Sequence, residues 1–229
     1  MKIHKRDFDY KDYTLHASKE DPQYEIKGDK TEHVAVHKAS ALSKKNRNLI
    51  KISKMKTILI FVSTLDGKIT KWGEPNVSSW SSHQDQDYYK TVLNESRLIV
   101  MGSNTFNADT FKQSSNHQLI ILTGHPDKYK SLEVPGQIEF TNESPVDLTS
   151  RFKNKGHKQM LVIGGSHVAT SFLKEQLIDE VWLTIEPKIF GTGGNFVTDV
   201  KLDINLSLIH CEKVNEQGTL ITEYAVLKK

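Results

Sequence analysis

From residue 56 onward, the chain alternates apolar runs of strand length with segments of helical character. TILIFVS (57–63), RLIVM (97–101), QLIIL (118–122), QIEF (137–140), QMLVI (159–163) and EVWLTIEP (180–187) read as strands. HQDQDYYKTVL (83–93), VDLTSRF (146–152) and VATSFLKEQL (168–177) read as helices. This rhythm predicts an α/β unit with a largely parallel central sheet. The early runs are apolar nearly throughout, as strands covered on both faces are. LSLIHCEKV (206–214) and GTLITEYAVL (218–227) instead alternate about NEQG (215–218), which predicts an antiparallel hairpin closing one sheet edge.

Residues 1–54 break the rhythm. They hold 13 Lys/Arg and 8 Asp/Glu, against 18 and 20 in residues 55–229, so the overall charge of +3 belongs to this segment. Scattered apolar residues without a sustained period predict a basic, mobile or weakly structured N-terminal extension at 1–54, followed by a domain at 55–229. Met55 then marks the domain boundary or a start. His33 and His37 have a metal-ligand spacing if helical, but no carboxylate motif accompanies them, and no metal is expected. Without a dense Lys/Arg run or interleaved aromatics, no nucleic-acid partner is expected either.

No run of about 18 apolar residues is present, and the N-terminus has neither the apolar core of a signal peptide nor the acid-poor composition of a transit peptide. These features predict a cytoplasmic protein with no membrane contact. The single cysteine, Cys211, excludes an intrachain disulfide and any Cys-rich zinc site, and it reads as a small hydrophobe in a strand.

Candidate chemistry gathers where strands give way to glycine. In LVIGGSHVATSFL (161–173), Gly164 and Gly165 either bring backbone N–H groups and a helix N-terminus to a phosphate or form a tight turn. The pair lacks G-x-G-x-x-G spacing, which disfavours a Rossmann site. In MGSNTF (101–106), Gly102, Ser103 and Thr105 offer amides and hydroxyls to a second phosphate or ribose, or a plain helix cap. Thr123, Gly124 and His125 form a third junction. Three junctions on one sheet point to a long, multi-phosphate ligand. Ser166 lacks the second glycine of a nucleophile elbow and no P-loop occurs, so a hydrolase or P-loop enzyme is disfavoured.

STLDGKI (63–69), MGSNTF, VIGGSHV (162–168) and LIDEVWLTIEPKIFGTGG (177–194) together resemble the dihydrofolate-reductase-like superfamily. Within it the chain looks most like the riboflavin-biosynthesis reductase domain, the C-terminal part of the bifunctional deaminase-reductase. The resemblance covers residues 55–229 and implies a three-layer α/β fold with a mixed, mostly parallel central sheet and a C-terminal antiparallel hairpin. It also implies an NADPH site lined by Gly102, Ser103, Thr105, Gly164, Gly165, Ser166, His167 and Val168. Dihydrofolate reductases often carry a basic residue right after the first glycine, where this chain has Ser103, which leaves His125 and Lys128, just past Thr123, as the candidate 2′-phosphate partners. Relatives of this fold pair through sheet edges or helices, so the resemblance admits a homodimer. The zinc deaminase partner domain is not expected, since no cysteine precedes Cys211.

On the substrate side, Trp80, Asp85, Tyr89 and Lys90 resemble the residues of the substrate helix in dihydrofolate reductases. Asp85 would hold a pterin-like or pyrimidine-like ring edge, Thr184 would orient it, and the pair would deliver the proton that accompanies hydride transfer. Ser82 and Asp85 also fit a capping box, in which the carboxylate serves the helix start. Asp66 and Lys68 read as a turn whose loop covers the cofactor, and Gly191, Gly193 and Gly194 as a flexible loop at the site mouth. Leu93, the region of Asn116, and Ile163 stand where riboflavin-pathway reductases carry two arginines and a glutamate, which removes bidentate phosphate clamps. The expected activity is an NADPH-dependent reduction of a heterocyclic C=N or ring-opened ribosylamino-pyrimidine. Dihydrofolate reduction is one alternative, and a non-catalytic nucleotide-binding or regulatory protein is another.

Overall fold

The computed structural model describes residues 2–27, 34–38, 55–108 and 116–228. The chain divides into two compact units, Met1–Lys51 and Ile52–Lys229.

The first unit holds β1 (Lys2–His4), β2 (Phe8–Tyr10), β3 (Tyr13–Leu15), β4 (Gln23–Lys27) and β5 (Val34–Lys38). Strands β1, β4 and β5 form an antiparallel sheet in that order, and β2 pairs with β3 as a separate hairpin. Short strands thus occupy part of the segment expected to be mobile or weakly structured. Strands of three to five residues are too short to show a period, and ladder hydrogen bonds and turns define them instead. His37 sits in a strand, where a four-residue spacing does not gather side chains as it does on a helix, and His33 lies outside the described residues.

The second unit is a three-layer α/β structure. Its elements run β6 (Lys56–Thr64), α1 (His83–Glu95), β7 (Leu98–Gly102), α2 (Ser103–Ala108), β8 (Gln118–Leu122) and β9 (Ile138–Thr141). There follow α3 (Pro145–Asn154), β10 (Gln159–Val162), α4 (Ser166–Lys174), β11 (Glu180–Glu186), β12 (Asn205–Lys213) and β13 (Leu220–Leu227). The sheet order is β12-β13-β11-β6-β10-β7-β8-β9. Six strands are parallel, from β11 to β9, and β13 adds antiparallel to β11 with β12 outside it.

Each face of the sheet carries its own core. Leu59, Val100, Ile120 and Val162 pack with Leu148 and Phe152 of α3 and Phe172 of α4. Ile58, Ile60, Ile99 and Leu161 pack with Val92, Tyr88 and Tyr89 of α1 and with Phe106 of α2. Successive strand residues thus serve opposite layers, which is why these strands read as continuous apolar runs. Ser144 caps α3 by accepting from Asp147 N at 3.1 Å, with Pro145 in the first turn.

The C-terminal hairpin forms as expected, but β12 is exposed along its whole length, including Leu206, Leu208 and Ile209. Cys211 lies in this strand and is exposed, so it is not packed as a hydrophobe.

Candidate active site

Strand β10 inserts between β6 and β7, although it follows β9 in the chain. The direction of winding therefore changes beside β6, and the carboxyl ends of β11, β6, β10 and β7 meet at the place where α/β sheets bind ligands. The residues leaving these ends are Glu186, Thr64, Gly164 and Gly102.

The two glycine junctions interlock. Gly102 N donates to Gly164 O at 3.0 Å, and the Gly164–Gly165 peptide is cis. A Cβ on Gly102 would stand 3.2 Å from Val168 Cγ2, and one on Gly165 would stand 3.5 Å from Thr105 Oγ1. Gly164, at φ +120, would bring a Cβ to 3.2 Å from the Phe61 ring. Gly102, Thr105, Gly164, Gly165 and Val168 thus form one close-packed cradle that side chains would fill. Gly165 caps the nine-residue α4 without a side chain, so the first-turn amides of α4 open toward this edge.

The other predicted cofactor residues stand at the rim. Ser103 begins α2, and the Ser166 hydroxyl donates to Asn195 O. His167 is exposed on α4, whereas Val168 is buried. Thr123 and His125 follow β8, one strand beyond β7, where Thr123 Oγ1 accepts from His125 N at 3.3 Å and His125 is exposed. Lys128 lies exposed in the 3-10 turn at Pro126–Leu132.

Asp85 is 5 % exposed in the first turn of α1, and Thr184 is 1 % exposed on β11. Burial raises the Asp85 pKa above the ordinary 3.8, against the opposing pull of hydroxyls on Thr184 and Ser81, and the nearby Glu186 charge raises it further. Ser82 Oγ accepts from Asp85 N at 3.3 Å, which is half of a capping box. The other half does not form: Ser82 N donates to Glu186 Oε1 at 2.7 Å. The Asp85 carboxyl group therefore faces Thr184 rather than its own helix start.

Trp80 is 4 % exposed, meets Phe190 edge to face at 5.2 Å, and its carbonyl accepts from Lys188 Nζ. Its Nε1 and Ser81 Oγ are buried without a hydrogen-bond partner of ordinary geometry among the described residues. Such groups are costly to leave unmet, and they mark places where a ligand or water is to be received. Tyr89 packs with the α1-side core. Lys90 points away, in an exposed pair with Asp87 at 3.6 Å.

Sequence reasoning missed three residues. Glu186 is 2 % exposed, Tyr88 OH donates to Glu223 Oε1 at 3.4 Å, and burial with the Glu223 and Asp85 charges pushes the Tyr88 phenol well above its usual range. The signals were spacing alone. Glu186 is two residues from Thr184 on a strand, and Tyr88 is three from Asp85 on a helix.

The Asp66 turn and the glycine loop are stitched together. Asp66 accepts from Phe190 N at 3.2 Å and Gly191 N at 2.8 Å, and its pKa is lowered chiefly by the Thr64 hydroxyl. Ile69 N donates to Gly194 O at 2.8 Å, Gly194 N to Thr70 Oγ1 at 2.7 Å, and Lys68 Nζ to Asn195 Oδ1 at 2.6 Å.

Glycine junctions at a sheet switch point and a buried carboxyl group on α1 facing β11 make this end of the sheet the candidate active site. The chain belongs to the RibD C-terminal domain family, whose model matches residues 55–220, and this family is one of reductase-like oxidoreductases. Residues 1–42 are similar to the TUDOR domain of hypervirulence associated proteins. YwjB of Bacillus subtilis (strain 168) is 27 % identical over 150 residues, 60 % of this chain and 80 % of its own length. A diaminohydroxyphosphoribosylaminopyrimidine deaminase/5-amino-6-(5-phosphoribosylamino)uracil reductase from Thermotoga maritima superposes with a TM-score of 0.58 at 20 % identity, over 75 % of this chain and 56 % of that one. Dihydrofolate reductase from Enterococcus faecalis, complexed with NADP(H) and RAB-propyl, superposes with a TM-score of 0.54 at 19 % identity, over 75 % of this chain and 94 % of that one. Among the described residues, no helix is long and apolar enough to cross a membrane.

Proposed function

We propose that the second unit is an NADPH-dependent reductase that transfers hydride to a heterocyclic C=N or a ring-opened ribosylamino-pyrimidine type substrate, as in riboflavin biosynthesis. The observation that carries this reading is the buried Asp85 carboxyl group facing Thr184.

What supports a dinucleotide here is the first turn of α4, which Gly165 caps without a side-chain hydrogen bond, next to a glycine backbone that packs closely on Val168, Phe61 and Thr105. When bound, the nicotinamide supplies the hydride. Gly102, Ser103, Thr105 and Gly164 to Val168 would hold the diphosphate and ribose, and Thr123 and His125 would extend the site toward the adenosine end. Asp85, whose pKa burial raises, would be the proton donor to the nitrogen of the C=N as its carbon takes the hydride, directly or through a water held with Thr184. Trp80 and Tyr89 would shape the ring pocket, and Trp80 Nε1 would be a donor for a ring carbonyl.

The uncharged Ile163 and Leu93 disfavour a phosphorylated substrate, and both are packed into the α1-side core. The Trp80–Asp85–Thr184 set favours dihydrofolate as the second reading, and competition by antifolates separates the two. The unpaired edge of β12, with Leu206, Leu208 and Ile209, supports a homodimer. Elution as a monomer at micromolar concentration would remove that part of the proposal.

Titration of the full chain with NADPH and with NADH, followed by thermal unfolding, tests the cofactor site. NADPH at a hundredfold excess over its dissociation constant should stabilise the unit by about 2.7 kcal/mol, with a smaller response to NADH. No response to either nucleotide from folded protein defeats the assignment. Binding without oxidation by any pterin or aminopyrimidine leaves a non-catalytic nucleotide-binding protein.

A further inference from the structure

Glu186 uses both carboxylate oxygens to hold the scaffold around Asp85. Oε1 accepts from Ser82 N at 2.7 Å, and Oε2 accepts from the Thr219 hydroxyl at 2.8 Å. Ser82 is the N-cap of α1, and Thr219 leads into β13. The turn before Thr219 is itself fixed, since Asn215 Oδ1 accepts from Gly218 N and Thr219 N at 3.0 Å each. Asn215 Nδ2 also donates to Thr219 Oγ1 at 2.9 Å and to Gln84 Oε1 at 3.3 Å. One side chain at the end of β11 thus ties the start of α1 to the C-terminal hairpin.

Burying a charge for two hydrogen bonds is an expensive way to build a scaffold, because neutral groups could make the same links. The strand geometry gives a reason. Thr184 and Glu186 are two residues apart on β11 and so share the sheet face beneath the first turn of α1, where Asp85 lies. The same element therefore supplies the hydroxyl facing Asp85, the anchor of its helix, and a negative charge near it.

We propose that Glu186 is a positioning residue for the reaction proposed above: it seats Asp85 against Thr184 by holding the α1 cap, and it sets a second carboxylate near Asp85. This inference rests on the reductase reading. The groups facing Asp85 are the Thr184 and Glu186 side chains from β11, Ser81, and Tyr88 on its own helix, with Glu223 of β13 behind Tyr88. Lys188 engages the Trp80 carbonyl, and His83 and Asp87 of α1 are exposed. Glu186 is thus the carboxylate whose charge bears on Asp85 from the strand beneath it.

Full-length protein labelled with 13C at aspartate carboxyl groups, compared with the Asp85→Asn spectrum, reports the titration of Asp85 without any substrate. In Glu186→Gln the Asp85 midpoint should move to lower pH. Thr219→Val keeps the charge and removes one anchor, so it should lower stability and leave the midpoint above that of Glu186→Gln. An unmoved midpoint in folded Glu186→Gln, or equal shifts in both variants, overturns the charge role. If Glu186→Gln does not fold, substitution of Ser82 by proline removes the amide that Glu186 holds, and loss of the Asp85 perturbation there overturns the charge role in its turn. With a turned-over substrate, Glu186→Gln should lower kcat on the order of tenfold to a hundredfold and leave NADPH affinity unchanged. Absence of turnover in the wild type counts against the reductase reading alone, since the carboxyl titration is read without it.

Discussion

Substitution of Gly164 by alanine tests the cradle at its tightest point. At φ +120 an L-residue carries a torsional cost of about 1–3 kcal/mol. The new Cβ would lie 3.2 and 3.3 Å from Phe61 Cε1 and Cζ, which adds about 1 kcal/mol of overpacking. Phe61 cannot simply swing away, because it packs edge to face on Phe196 at 5.0 Å and against the α4-side core. The net loss is about 3 kcal/mol, or roughly 6–12 °C in Tm for a domain of this size. Urea and thermal melts followed by tryptophan fluorescence suit the measurement, since Trp72, Trp80 and Trp182 all lie in the second unit. In a Phe61→Leu background, the contact part should vanish and the torsional part remain. An unchanged midpoint for Gly164→Ala refutes the placement of this backbone, and an identical loss in both backgrounds refutes the contact with Phe61.

Two other outcomes follow from the site. Because the folded-state pKa of Asp85 lies above its unfolded value, the native state holds the extra proton between the ordinary carboxylate value near 3.8 and the raised one, and stability falls as pH rises through that window. Asp85→Asn removes this dependence, so its stability relative to wild type should rise with pH across the window in paired urea melts; a parallel pair of curves refutes the burial of an unpaired acid. Trp80→Phe removes an indole N–H that has no partner among the described residues, together with part of a buried ring, so stability should fall by about 1–3 kcal/mol while substrate KM rises, and an unaltered KM removes Trp80 from the pocket.

The sequence made the second unit legible because its strands are covered on both faces and separated by glycine, proline and capping residues. The same physics hid the first unit. Strands such as Phe8–Tyr10 and Tyr13–Leu15 are three residues long and carry no period to detect. At the site, Asp85 had two readings from sequence, cap or acid, and the choice depended on which group took the Ser82 amide. That group, Glu186, lies 104 residues away, and local pattern carries no information on such a partner. The Asp66 turn was readable as Asp-Gly, whereas its carboxylate bonds to Phe190 and Gly191 arise only from the tertiary path of the later loop.

The late entry of β10 between β6 and β7 also sets an order of assembly. Until Gln159–Val162 have been synthesised, β6 and β7 have no strand to join them, and each exposes a largely apolar edge open to parallel pairing. A nascent chain that ends before residue 159 therefore holds β6 with neither of its sheet neighbours and separate from the β7-β8-β9 ladder, and no glycine cleft. It is in this interval, rather than in the finished fold, that the chain is most open to wrong pairing and most in need of a chaperone. Hydrogen exchange on a chain truncated at residue 158 should find the β6 amides unprotected, and protection there would show that the sheet can close without its central strand.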